Sequence, residues 1–292
     1  MRRISLLLFV IVFVFSLSGS LKEKPAYELF DHDGNEIKFS EMMSQLADAD
    51  VIFFGELHDN PISHWLELEV TESCFEKVGE NLILGAEMFE SDNQLILDEY
   101  LNRKISGKSF ENEARLWSNY ETDYKPLVEF AKKKKLAFIA SNIPRRYASV
   151  VSKKGFEGLE ELNAEARSYI APLPIIFDPE VECYKKMLDM GKMPGAKMDK
   201  SNFPKAQAVK DATMSHFITE NWQPGKLFLH FNGSYHSDNF QGIVWYLLQK
   251  NPELKIQTIT TILQDNFDNP NKEDLEKADF IIVVPESMTR TY

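Results

Sequence analysis

Two short segments, far apart along the chain, carry the same arrangement. Gly55-Glu56-Leu57-His58 and Gly233-Ser234-Tyr235-His236 each place a histidine three residues after a glycine, and each follows an apolar run of strand length. A neutral imidazole is a ligand for a transition metal, and it titrates near neutral pH, so it can also shuttle protons. Glu56 and Glu87 offer carboxylates that complete a metal shell, act as general base or orient an imidazole. Arg145 and Arg146 offer guanidinium forks, which match a carboxylate bidentately. Taken alone, His58 reads equally as the cap of a helix opening at Pro61, and His236 as a helix-start residue bonded to backbone. Two separate strand ends with the same pattern favour a site. His64 lies six residues beyond His58, so the His-x-x-x-His spacing of zinc proteases is absent. His32 sits in a polar turn, and His216 and His230 read as core or surface.

The elements that must position these groups are legible as apolar runs alternating with longer amphipathic stretches. Strands are predicted at Val51–Phe54, Leu82–Ala86, Leu136–Ala140, Lys226–Phe231, Leu254–Ile262 and Phe280–Val284. Helices are predicted from Pro61 to about Lys77, with Asn60 and Pro61 as cap and first residue, near Tyr124–Lys134, and from about Asp238 to Gln249. This alternation specifies an α/β fold: a mostly parallel central sheet flanked by helices. Residues from about 155 to 222 contain no convincing strand and read as an all-helical insertion, with a loop at Gly191–Ala196 and a helix at Phe203–Trp222. On that helix Gln207, Asp211 and Met214 share one face, while Lys205 and Lys210 lie off it. Met187, Met190, Met193, Met198 and Met214 read either as adaptable core filler or as a ligand wall. Each of the first four predicted strands ends in polar residues: Glu56, His58 and Asp59; Glu87; Ser141, Asn142, Arg145 and Arg146; Asn232, Ser234 and His236. Ligands in open α/β sheets bind just outside the carboxyl ends of the strands, so these clusters are expected to converge on one crevice.

Composition narrows the function. The 292 residues carry 33 Lys+Arg against 45 Asp+Glu, a net charge of −12, which argues against nucleic acid as a partner. Two cysteines support neither a disulfide framework nor a Cys-only zinc site; Cys74 and Cys183 either pair or stay as buried thiols. The chain opens with Arg2 and Arg3, an apolar run from Ile4 to Leu17, and small residues Ser18-Gly19-Ser20. That is the pattern of a signal peptide over residues 1–20, with an uncleaved anchor as the alternative. The expected location is the periplasm or the periphery of the outer membrane. No cysteine follows the run to take a lipid.

Five ordered landmarks carry a resemblance. They are Gly55-Glu56-Leu57-His58-Asp59-Asn60-Pro61, the strand ending at Glu87, Asn142-Ile143-Pro144-Arg145-Arg146-Tyr147, the helix with Gln207-Ala208-Val209-Lys210-Asp211-Ala212-Thr213-Met214, and Gly233-Ser234-Tyr235-His236. Together, from about residue 25 to 285, the chain resembles the ChaN-like haem-binding uptake family of the Tiki, TraB and erythromycin-esterase superfamily. The resemblance implies an α/β fold with a helical insertion, export, and haem binding linked to iron acquisition. It implies tyrosine as a haem ligand, for which Tyr147 and Tyr235 are the positional candidates, with Arg145 and Arg146 for the propionates and His58 and His64 alongside. The haem would be non-covalent, since the C-x-x-C-H attachment motif is absent. An outer-membrane iron receptor and a second copy bridged by haem are the implied partners. The hydrolases of the superfamily imply a second reading: a divalent metal ion on His58, His236 and Glu87, with Glu56 or Glu87 as general base.

Overall fold

A computed structural model describes residues 24–191, 202–265, 267 and 270–292. The expected signal peptide, residues 192–196 of the expected loop, and Met193 and Met198 lie outside them.

Seven strands form one sheet: β1 (Glu28–Asp31), β2 (Val51–Glu56), β3 (Leu82–Glu90), β4 (Ala137–Asn142), β5 (Leu227–Gly233), β6 (Ile256–Gln264) and β7 (Phe280–Pro285). Their spatial order is β1-β7-β6-β2-β5-β3-β4. Every neighbouring pair is parallel except β1 with β7. All six predicted strands are present. The four-residue edge strand β1 is additional; it is too short to leave a periodicity in the sequence.

β2 is buried along its whole length, and its alternate residues feed two cores. Ile52 and Phe54 join Leu66 and Val70 of the Pro61–Val78 helix and Leu127 and Val128 of the Lys125–Lys134 helix. Val51 and Phe53 face the other way, onto Met214 and Ile218 of the Phe203–Asn221 helix and Ile243 and Leu247 of the Ile243–Lys250 helix. A strand covered by helices on both faces needs such a continuous apolar run.

Asn60 caps the Pro61–Val78 helix: its side-chain oxygen accepts from the backbone N–H of Ile62 (3.0 Å) and Ser63 (3.1 Å). Capping is therefore not the work of His58. After β5 the predicted helix from Asp238 is broken. Asn239, Phe240 and Gly242 take positive φ, which no α-helix accommodates, and the helix proper begins at Ile243. Between Gly155 and Trp222 the described residues form the short turns Phe156–Leu159 and Ala164–Arg167 and the helices Glu182–Gly191 and Phe203–Asn221. They share a core of their own with Val151, Leu159, Ile170, Tyr184 and Val209. Cys74 belongs to the first core and Cys183 to this one; both are free, buried thiols. Met187 and Met214 are buried. Among the described residues no helix is long and apolar enough to cross a membrane.

Candidate functional site

β5 lies between β2 and β3, and the registers Glu56↔Gly233 and Ala86↔Phe231 bring the carboxyl ends of the three strands side by side. A cleft of about 540 Å³ opens there, lined by Glu56, Leu57, His58, Glu87, Glu90, Trp117, Asn142, Ile143, Arg145, Lys210, Gly233, Ser234, Tyr235 and His236. That lies within the range of about 300–1,000 Å³ usual for small-molecule sites.

The two glycines of the repeated pattern serve each other's segments. A Cβ on Gly233 would lie 2.6 Å from His58 Nε2, and one on Gly55 would lie 3.0 Å from Ser234 Cα and 2.9 Å from the carbonyl of Ile259. Only hydrogen in place of a side chain lets the two loops approach, which places His58 directly over the end of β5.

Glu56 is the last residue of β2 and is 1 % exposed. Its Oε1 accepts from His58 Nδ1 at 2.5 Å and from the Tyr124 hydroxyl at 2.8 Å. This fixes the tautomer of the neutral His58 ring, in which the proton sits on Nδ1 and Nε2 presents a lone pair to the cleft. The Trp117 ring meets the imidazole edge-on at 4.9 Å. Burial opposes the charged form of His58, but the hydrogen bond to Glu56 and the charge of Glu87 prevail, and its pKa is raised.

His236 is held differently. Its Nε2 lies 3.1 Å from Glu87 Oε1, and its Nδ1 bonds to Asp211 Oδ1. Gln207 sits against the same ring at 3.0 Å. Burial alone would push His236 down, yet the two carboxylates raise it to about 10, so it is an imidazolium at neutral pH with both nitrogens engaged. Burial likewise opposes ionisation of Glu87, but His236 holds its carboxyl far below the usual range. Glu87 Oε2 also accepts from the Gly233 N–H at 2.9 Å. Asp211 is oriented in turn by the Tyr184 hydroxyl (2.7 Å).

Glu56, His58, Glu87 and His236 therefore meet in one cleft, as their positions at strand ends predict. The remaining candidates separate. Arg145 lines the cleft, with Nε donating to Glu90 at 2.6 Å and its side chain 69 % exposed. Arg146 turns to Asp92 (2.5 Å) and stacks on the Tyr147 ring, and neither Arg146 nor Tyr147 lines the cleft. Tyr235 lines it as well, and its hydroxyl donates to the Cys183 carbonyl (2.7 Å). His64 is buried behind His58: its Nε2 donates to the His58 carbonyl (3.1 Å) and its Nδ1 lies 3.0 Å from Glu67. His230 is fully buried between Ser141 (2.8 Å) and Asn232 (3.0 Å) and is pushed down to about 4 by desolvation.

Trp117, Tyr124 and Glu90 are site residues that no motif announces, and Ile143 lines the cleft from within the Asn142–Tyr147 landmark. Lys210 lies off the Gln207–Asp211 face yet reaches the cleft rim, because a long lysine stem can cover the distance. The Gln207–Asp211 stripe was the one legible signal for the His236 partner.

Residues 42–247 match a protein family described as haem-binding uptake, Tiki superfamily, ChaN. ChaN of Campylobacter jejuni, whose structure shows cofacial haem binding, superposes with a TM-score of 0.64 at 18% identity, over 88% of this chain and 96% of that one. An erythromycin esterase, EreC, in its open conformation superposes with a TM-score of 0.53 at 10% identity, over 90% and 98%. A succinoglycan biosynthesis protein gives 0.51 at 10% identity, over 86% and 92%. At such identities these structures share the fold. No curated protein sequence matches the chain. With the family's pattern spanning most of its length and the strand-end histidines and glutamates gathered in one cleft, this chain belongs to the ChaN-like haem-binding uptake family of the Tiki superfamily.

Proposed function

We propose that the chain binds haem non-covalently in this cleft and serves haem or iron uptake as an exported protein of the cell envelope. The observation that carries the reading is the unengaged Nε2 of His58 on the cleft, a ligand atom once iron takes the place of its proton. Among the described residues around the cleft, His236, His64 and His230 each have both ring nitrogens engaged, whereas His58 has only Nδ1 engaged, on Glu56. A ring nitrogen backed by a carboxylate is a strong donor to a ferric centre.

The residues present fit the group. Trp117, Ile143, Leu57 and Tyr235 supply apolar walls, and Arg145 and Lys210 supply cations for two propionates. Haem, when bound, supplies the iron and its ligand exchange. Glu56 holds the His58 proton on Nδ1, Trp117 fixes the ring plane, and the Glu87–His236–Asp211 set forms a rigid charged floor. Tyr235 is a weaker candidate ligand, since burial pushes its hydroxyl up to about 12 and the Cys183 carbonyl already accepts its proton.

Titration of the purified chain with hemin, followed in the Soret band, tests the reading. Saturable binding weakened about 10–100-fold by His58→Ala, and little changed by Tyr147→Phe, is expected. Binding untouched by His58→Ala sinks the assignment of His58, and absence of saturable binding sinks the function. A haem-bridged pair of copies is read in the same samples by sedimentation with and without hemin.

A second reading rests on the Glu56–His58 hydrogen bond. Such a dyad with a free Nε2 is also a general base for water, with Glu56 stabilising the imidazolium that forms. It predicts ester hydrolysis that His58→Ala abolishes, in a chain that takes up no hemin. A metal ion on His58, Glu87 and His236 would have to displace the contact between His236 and Glu87.

A further inference from the structure

We propose that the chain holds one divalent metal ion in a buried site behind the cleft, on His64 Nδ1 and the carboxylates of Glu56 and Glu67. This site shares Glu56 with the cleft, whose His58 is held by the other carboxylate oxygen, and it does not depend on the haem reading. His64 and Glu67 lie three residues apart on one face of the Pro61–Val78 helix, and Glu56 closes β2 opposite them. One ligand atom from each lies within 4.8 Å of the other two. His64 Nδ1 is 3.0 Å from Glu67 Oε2 and 3.5 Å from Glu56 Oε2. A tetrahedral ion with bonds of about 2.0–2.2 Å holds its ligand atoms roughly 3.3–3.6 Å apart, so only small shifts bring these three atoms onto one ion, with a water as the fourth ligand.

Two further observations point to a cation. Glu56 Oε2 and Glu67 Oε1 are buried without any hydrogen-bond partner, on side chains 1 % and 0 % exposed. A buried carboxylate oxygen left unpaired carries its full desolvation cost, and an acceptor can be satisfied only by a donor or a cation. Among the described residues no lysine or arginine forms a salt bridge with either glutamate. The other nitrogen of His64, Nε2, donates to the His58 carbonyl at 3.1 Å, so the lone pair lies on Nδ1, where the ion would come between it and its present partner, the Glu67 carboxyl at 3.0 Å. A ring proton donated to a backbone carbonyl is the usual support of a metal-ligating histidine. On binding, the ion replaces the proton that the neighbouring Glu56 and Glu67 carboxyls otherwise share, and that proton leaves to solvent; two carboxylates and a neutral imidazole then balance a dication, and the mixed nitrogen and oxygen set suits zinc or its cobalt substitute.

The test uses the whole purified chain. Metal content is measured by mass spectrometry; the chain is then stripped with chelator and titrated with cobalt(II) alone, read by the visible ligand-field absorption of a four-coordinate ion. About one zinc-type ion per chain and one saturable cobalt site are expected. Glu67→Gln keeps the shape of the site and should weaken cobalt more than ten-fold, while Glu72→Gln, exposed on the same helix, should not. His64→Ala should abolish the signal; if that variant fails to fold, Glu67→Gln carries the test. Absence of both metal and a cobalt signal overturns the proposal. So does a signal that survives Glu67→Gln and is lost in His236→Gln, which would move the ion into the cleft. Hemin titration of the same variants reports separately on the haem reading.

Discussion

Replacing Glu87 with glutamine should cost stability in a pH-dependent way that packing loss cannot imitate. Glu87 and Asp211 together hold the buried His236 imidazolium, whose pKa rises from 6.5 to about 10 despite desolvation, with the charge of Glu87 the largest single favourable influence. At about 1.4 kcal/mol per pKa unit the charged form is stabilised by roughly 5 kcal/mol, to be shared between two carboxylates. Removing one partner of such a buried pair costs about 3–5 kcal/mol; the lower end applies here because Asp211 remains. The sign follows from the direction of the shift. A histidine whose folded pKa is raised contributes fully below its unfolded pKa of 6.5, and the contribution fades as pH climbs through about 10. The depressed carboxyl of Glu87 adds a limb of the opposite sense, present above the unfolded value of 4.5 and lost towards acid. At pH 6 Glu87→Gln should therefore lower the melting temperature by about 6 °C or more, from roughly 3 kcal/mol at 2–4 °C per kcal/mol. At pH 10.5 the deficit should shrink to a small fraction of that. Thermal unfolding followed by circular dichroism at both pH values measures it. An equal deficit at the two pH values would refute the ion-pair argument and leave only shape.

Gly233→Ala should crowd His58, since the new methyl would lie 2.6 Å from Nε2. A destabilisation of about 1–3 kcal/mol with a loss of hemin affinity is expected in melting and Soret titrations; full wild-type affinity would mean that the glycine does not set the position of His58. His230, held down to about 4, makes the wild type lose stability as pH falls from 6.5 to 4, because the unfolded chain takes up the proton first. His230→Gln should flatten that limb by about 3.5 kcal/mol, from the fall of 6.5 to about 4 at about 1.4 kcal/mol per unit; an unchanged acid limb in urea unfolding would show that His230 does not titrate as described.

The strands and the helices that flank them were readable in one dimension, because a sheet covered on both faces demands continuous apolar runs and the helices between demand amphipathic ones. Val51–Phe54 and Phe280–Val284 announce themselves by hydrophobicity alone. The meeting of Glu56, His58, Glu87 and His236 was legible too, since parallel strands all end at one rim of the sheet. What no spacing could supply was the role of each histidine. Two identical Gly-x-x-His patterns end in opposite states: His58 with a free nitrogen on the cleft, His236 as an imidazolium locked between Glu87 and Asp211. Nor did the pattern separate Arg145 from Arg146, which are adjacent in the chain but turn to different carboxylates. The same holds for His64 and Glu67, whose unsatisfied buried neighbour, Glu56, arrives from a different element. Which side chains stand at the ends of strands is readable along the chain, because local apolar patterning writes the strands. Their charge and availability emerge with the folded chain, because those depend on burial and on partners brought in from distant segments.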